Sequence, residues 1–192
     1  MILPIIAFGN AVLRQKNQDV GPHTPDLEAF IADLFETMDN ASGVGLAAPQ
    51  VGRSVRVFVV DGGPMAERHP DEPELATFRQ VFLNPQIIQQ DGEPWAFEEG
   101  CLSIPGVRDS VSRKPQLTIR YQDAQFNERT ETYSGIRARI IQHEYDHLEG
   151  VLFIDYLSPL KKQLIQPKLQ RIARGAMQED YPMSYTRRTR AR

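Results

Sequence analysis

The segment "QHEYDHLEG", residues 142 to 150, constrains this chain more than any other. On a helix, His143 and His147 stand four residues apart and share one face, so two imidazoles can meet a single metal ion. Glu144 reaches the same place without crowding the histidines, and a carboxylate there suits general base work on a water. The chain must therefore present this segment as a helix. Ile136 to Leu148 reads as helical, and Gly150 stops it. A catalytic site of this kind takes three protein ligands and keeps one position open. The third ligand is not in the segment. The long protease pattern would need histidine at position 153, and Phe153 stands there, although Gly150 falls where that pattern has its glycine. Asp155 and Glu179 are weak downstream substitutes.

The better candidate is Cys101, in "EEGCLSIPG". It is the one cysteine among 192 residues, which excludes an internal disulfide and fits a reducing cytoplasm. Alone it admits three readings: a thiolate metal ligand, a nucleophile activated by histidine, or a small buried hydrophobe. Gly100 frees the backbone before it, as a ligand in a tight loop requires. A third stretch, "GVGLAAPQ", spans residues 43 to 50. Its paired glycines let a peptide approach the main chain closely. Gln50 offers an amide N–H to charge developing on a carbonyl oxygen. Neither G-x-G-x-x-G nor a following Lys-Ser/Thr is present, so this is not a nucleotide loop.

The rest of the chain supplies a frame. Leu27, Phe30, Ile31, Leu34 and Met38 form one buried stripe of a helix over 25–40, with Thr24 as cap and Pro25 at its first position. Residues 55–61 read as a strand, and 62–77 as an acidic, proline-rich surface loop. Residues 80–89 read as two strand pieces around Asn84-Pro85. "PQLTIRYQD" and "NERTETYS" form a candidate hairpin. "VLFIDYL" reads as a buried strand. A last helix starts at Ser158-Pro159, and Pro167 should kink or split it. Strands and helices without a regular β-α-β rhythm predict an α+β fold with a largely antiparallel sheet. The reading is one domain over 1–183, with 184–192, "SYTRRTRAR", as a basic disordered tail. Net charge is -3, which gives no general reason to expect DNA binding. No apolar run suits a membrane, and no secretory signal is read at the start.

Taken in this order, "GVGLAAPQ", "EGCLS" and "QHEYDH" resemble the three signature motifs of the peptide deformylases. The resemblance runs from "GNAVLR" near the start to about "VLFIDYLSPLKK". It implies Cys101, His143 and His147 as metal ligands and Glu144 as general acid/base. Gln50 and the backbone N–H of Leu102 would bind the formyl oxygen, and Val44 and Gly45 would hold the peptide main chain. The implied fold is α+β, with antiparallel sheets around the H-E-x-x-H helix and a helix near each end. The implied reaction removes formyl from the N-terminal methionine of new proteins in the cytoplasm. Fe²⁺ is the expected cellular metal, with Zn²⁺, Ni²⁺ or Co²⁺ able to take the site.

Ile136, Arg139 and Ile140 lie seven, four and three residues before His143 on the same helix face, so they could wall a methionine pocket. Arg139 is unusual in such a wall; it could pack its stem there with the guanidinium at the rim, or point to solvent. Arg108 matches the place of a family arginine near the peptide, and Gly100 is a further expected substrate-binding residue. The alternatives are a zinc endopeptidase, a cysteine hydrolase and a metal-stapled module without catalysis. The arginines of the tail could add affinity for ribosomal RNA.

Overall fold

The computed structural model describes residues 1–177 and 179–185. The strands are β1 (Ile5–Ile6), β2 (Gly45–Ala47), β3 (Val57–Asp61), β4 (Arg79–Asp91), β5 (Trp95–Cys101), β6 (Ile104–Arg113), β7 (Gln116–Gln122), β8 (Glu128–Ser134) and β9 (Met183–Ser184). The α-helices are α1 (Leu27–Asn40), α2 (Gly63–Ala66), α3 (Gly135–Leu148) and α4 (Pro159–Ala173). β2, β3, β4, β7 and β8 form a five-stranded sheet in that order, every pair antiparallel. β5 and β6 form a separate antiparallel hairpin, and β1 pairs with β9 in parallel. The fold is thus α+β with mainly antiparallel sheets.

Two apolar layers meet the large sheet. α3 lays Ile136, Ala138, Ile141 and Leu148 against Phe58, Phe82, Leu117 and Ile119. α1 lays Phe30, Leu34 and Met38 against Val57, Val59 and Leu83 on the opposite strand positions, as the two-residue alternation of a strand requires. Each large side chain so buried contributes roughly 1.5–3 kcal/mol. A third cluster, with Ile104, Val111, Leu152, Phe153 and Ile172, closes the far side of the β5–β6 hairpin.

Several local expectations change. α1 starts at Leu27, because Asp26 takes a left-handed conformation (φ 56°) and Thr24 Oγ1 accepts from Gly21 N–H instead of capping the helix. The two pieces around Asn84-Pro85 are one strand interrupted by a bulge. Asn84 is left-handed there, and its side chain bonds both the N–H and the carbonyl of Val20. "VLFIDYL" is no strand. Phe153–Tyr156 is a short 3-10 helix, closed by the Asp155 carboxylate accepting from Leu152 N–H at 2.8 Å. α4 runs through Pro167 without splitting, its last turns anchored by buried Leu169 and Ile172.

The 62–77 stretch is more than a loop. It holds α2 and a 3-10 turn over Pro73–Thr77, and Leu75 is fully buried. Both carboxylate oxygens of Glu72 accept from the Ile136 N–H, at 3.0 and 2.9 Å, so this segment satisfies a free donor at the start of α3. At the other end of the chain, β9 reaches Ser184, the first residue of the stretch read as tail. Residues 186–192 lie outside the described residues. No helix among the described residues is long and apolar enough to cross a membrane.

Candidate metal centre and active site

Cys101 ends β5, and His143 and His147 lie on the buried face of α3. Their ligand atoms lie within 4.8 Å of one another. The Cys101 thiol stands 3.3 Å from His147 Nε2. His143 Nδ1 is 3.0 Å from Glu99 Oε2, which leaves its Nε2 as the free nitrogen. One thiolate and two imidazoles are the donors that first-row divalent ions take. Burial drives His147 well below the ordinary histidine range, so it is neutral, the form that ligates. At His143 burial works to lower the pKa, but hydrogen bonds to Cys101 and Glu99 outweigh it and hold it above that range, so a metal ion would bind there in exchange for a proton. The donor set therefore fits a metal ion. Asp155 and Glu179 are not part of it.

Glu144 is 4% exposed, and its Oε2 has no partner in the protein. Burial lifts its carboxyl to about 7, with His143 opposing and Glu99 assisting the rise. Gly45 on β2 makes room for it: a Cβ at position 45 would come within 2.7 Å of the Glu144 carboxyl carbon. Gln50 sits in a 3-10 turn after β2 and is 2% exposed. Its Oε1 accepts from Ala47 N–H at 2.8 Å, and this fixes the other end of the amide toward the centre. Nε2 then lies 3.5 Å from the Cys101 thiol and 3.3 Å from Ser103 Oγ.

A cleft of about 530 Å³ opens over these groups. Val44, Gly45, Gly100, Leu102, Ile136 and Ile140 all line it. Arg108 lines its mouth, 62% exposed and paired with Glu98 at 2.7 Å. Arg139 also borders the cleft but points neither to its rim nor to solvent. Its side chain is 3% exposed, bonds Glu99 Oε1 and the Val111 carbonyl at 3.0 Å each and the Trp95 carbonyl at 2.7 Å, and stacks 4.7 Å from the Trp95 ring. The expectation fails because a buried carboxylate on β5 supplies the missing countercharge.

That carboxylate, Glu99, is the residue that sequence reasoning missed. It takes two bonds from Arg113, at 2.7 and 3.0 Å, one from Arg139, and meets His143 Nδ1. Despite burial, these partners hold its carboxyl far below the usual carboxylate range. Arg113 also binds Asp146 at 2.7 Å, so the hub spans β5, β6 and α3. A signal existed: Glu99 lies two residues before Cys101, on the same face of one strand. Met65 from α2 and Tyr181 near the chain's end complete the lining and were also unforeseen.

A buried metal position, a carboxylate beside it and an amide donor facing it define a metal-dependent hydrolase. The family model for polypeptide deformylase matches residues 2–163. The chain is 53% identical to the peptide deformylase of Christiangramia forsetii over the whole of both chains. Among solved structures it resembles a peptide deformylase from Legionella pneumophila, at TM-score 0.79 and 36% identity over 92% of this chain and 98% of that one. The Thermotoga maritima peptide deformylase aligns at TM-score 0.73 and 38% identity, covering 83% and 99%. The chain belongs to the polypeptide deformylase family.

Proposed function

We propose that this chain removes the formyl group from the N-terminal formyl-methionine of newly made proteins, releasing formate and a free methionyl amine. The family membership carries the reaction. The convergence of Cys101, His143, His147, Glu144 and Gln50 at one cleft carries the site. Cys101, His143 and His147 would hold the ion, Fe²⁺ in the cell, with Zn²⁺, Ni²⁺ or Co²⁺ compatible with the same donors. Bound there, a divalent ion supplies Lewis acidity and lowers the pKa of a water.

The chain's own groups do the rest. Glu144, with a carboxyl poised near neutrality, takes the proton of the attacking water and passes it to the leaving nitrogen. The Gln50 amide, oriented by Ala47, and the Leu102 N–H stabilise the charge that grows on the formyl oxygen. Apolar Ile136 and Ile140 would flank the methionine side chain, with Val44 and Gly45 meeting the peptide main chain. Gly100 lines the cleft beside Arg108, which sits at the mouth. Arg139 contributes from behind, by holding Glu99. We place this activity in the cytoplasm and in one catalytic domain ending near Met183. The arginines that follow would add affinity for the ribosome, and cosedimentation of the full chain against one ended at Tyr185 tests that.

Formate release from formyl-Met-Ala-Ser tests the main reading. Turnover should vanish on prolonged chelation and return with Fe²⁺ or Ni²⁺. A cysteine hydrolase would survive the chelator, and that result would end this account.

A further inference from the structure

The turn between β5 and β6 carries the Leu102 N–H assigned above to the formyl oxygen, and both chain ends reach it. The Phe8 N–H donates to the Ser103 carbonyl at 2.8 Å. The Tyr181 hydroxyl donates to the Leu102 carbonyl at 2.9 Å. These two holders are fastened to each other, since Ile5 and Ala7 donate to the carbonyls of Pro182 and Ser184, at 2.9 Å each, where β1 pairs with β9. Tyr181 and Leu102 both pack on the cluster that holds Leu34, Met38 and Leu46. The Leu102 side chain also presses on Gly43, where a Cβ would come within 2.8 Å of Leu102 Cδ1. Burial raises the Tyr181 pKa, so its hydroxyl remains a donor at working pH.

An oxyanion donor works only when held within a few tenths of an ångström of its place. The Leu102 carbonyl belongs to the Leu102–Ser103 peptide, joined through the Leu102 Cα to the unit that carries the Leu102 N–H, so a bond to that carbonyl restrains the backbone rotations by which the N–H could turn. Tyr181 lies beyond the 2–163 stretch that the family model matches, yet it lines the cleft. We propose that Tyr181 is a positioning residue for the deformylation reaction: its hydroxyl fixes the Leu102–Ser103 peptide, the neighbour of the one that carries the Leu102 N–H, so that the C-terminal segment through β9 is part of the working site. The proposal rests on the Leu102 N–H acting as an oxyanion donor.

Tyr181→Phe removes one oxygen and keeps the ring. Two readouts test it, made on the full chain loaded with Ni²⁺. The amides of Leu102 and Ser103 should exchange with deuterium faster than in the parent. With formyl-Met-Ala-Ser, kcat per bound metal should fall on the order of tenfold, less than the ~10²-fold cost of a full 1 Å misplacement, while KM stays nearly constant. Unchanged exchange, unchanged kcat per metal, or loss of folding or of metal in proportion to rate would make Tyr181 merely structural and overturn the proposal. A parent chain that releases no formate would sink the deformylase reading instead, and the exchange result stands apart from it.

Discussion

Glu99 Oε2 stands 3.0 Å from His143 Nδ1, with the carboxylate itself clamped by Arg113 and Arg139. A carboxylate so placed fixes which imidazole nitrogen faces the metal position and strengthens it as a ligand. Glu99→Gln keeps the shape and removes the charge. Two buried arginines then lose their shared partner, which should cost about 3–5 kcal/mol of stability. Metal affinity should fall about 10–100-fold. Urea denaturation and a competition titration against a chelator measure the two effects; parent values in both would show that Glu99 is a bystander.

Glu144→Gln should fold and load metal as the parent does, because Glu144 is not a ligand and its Oε2 has no partner in the protein. Formate release should drop by about 10²–10⁴-fold. A variant that turns over like the parent removes Glu144 from the chemistry.

Gly45→Ala tests whether close approach, rather than turn geometry, requires glycine there. The added methyl would overlap the Glu144 side chain. Glu144 must then shift, and kcat should fall by at least about tenfold for a displacement of a fraction of an ångström. The metal, held by other residues, should remain. Full activity in this variant would mean that Glu144 has room to spare.

Asp155 gives a pH dependence away from the centre. Burial alone would raise its carboxyl, but Arg14 and the Leu152 N–H outweigh it and hold the pKa below the ordinary value. A folded-state pKa below the unfolded one means stability that is fully present above about pH 4 and lost as pH falls through the folded value. Asp155→Asn should therefore destabilise the protein more at pH 6 than at pH 3, read as urea midpoints against the parent. An equal loss at both pH values would show that the ion pair with Arg14 adds nothing.

Much of the centre was legible because its chemistry is local. His143, Glu144 and His147 declare themselves by helical spacing, and Gln50 and Cys101 by residue type within marked stretches. Glu99 was hidden because Gly100 suggested a tight loop around Cys101 rather than a strand end. As the end of β5 it alternates, sending Glu98 to solvent and Glu99 inward with Cys101. Arg139 was misplaced for the same reason, since its partner comes from another element. Phe153 shows the converse. Its side chain announced that no histidine would come from that position, but not that its ring would stack 6.2 Å from His143. The 62–77 stretch concealed Leu75 and Glu72 behind a solvent-like composition, although one fills the core and the other bonds the first turn of α3.

The most direct test is anaerobic metal content measured together with formate release, on the parent and on Cys101→Ser. The account predicts one divalent ion per parent chain and steady release of formate from formyl-Met-Ala-Ser. In the variant, the metal should be largely lost and activity should fall with it. A Cys101→Ser protein that kept both its full metal content and its activity would contradict the assignment of Cys101 to the metal, and with it the architecture of the site.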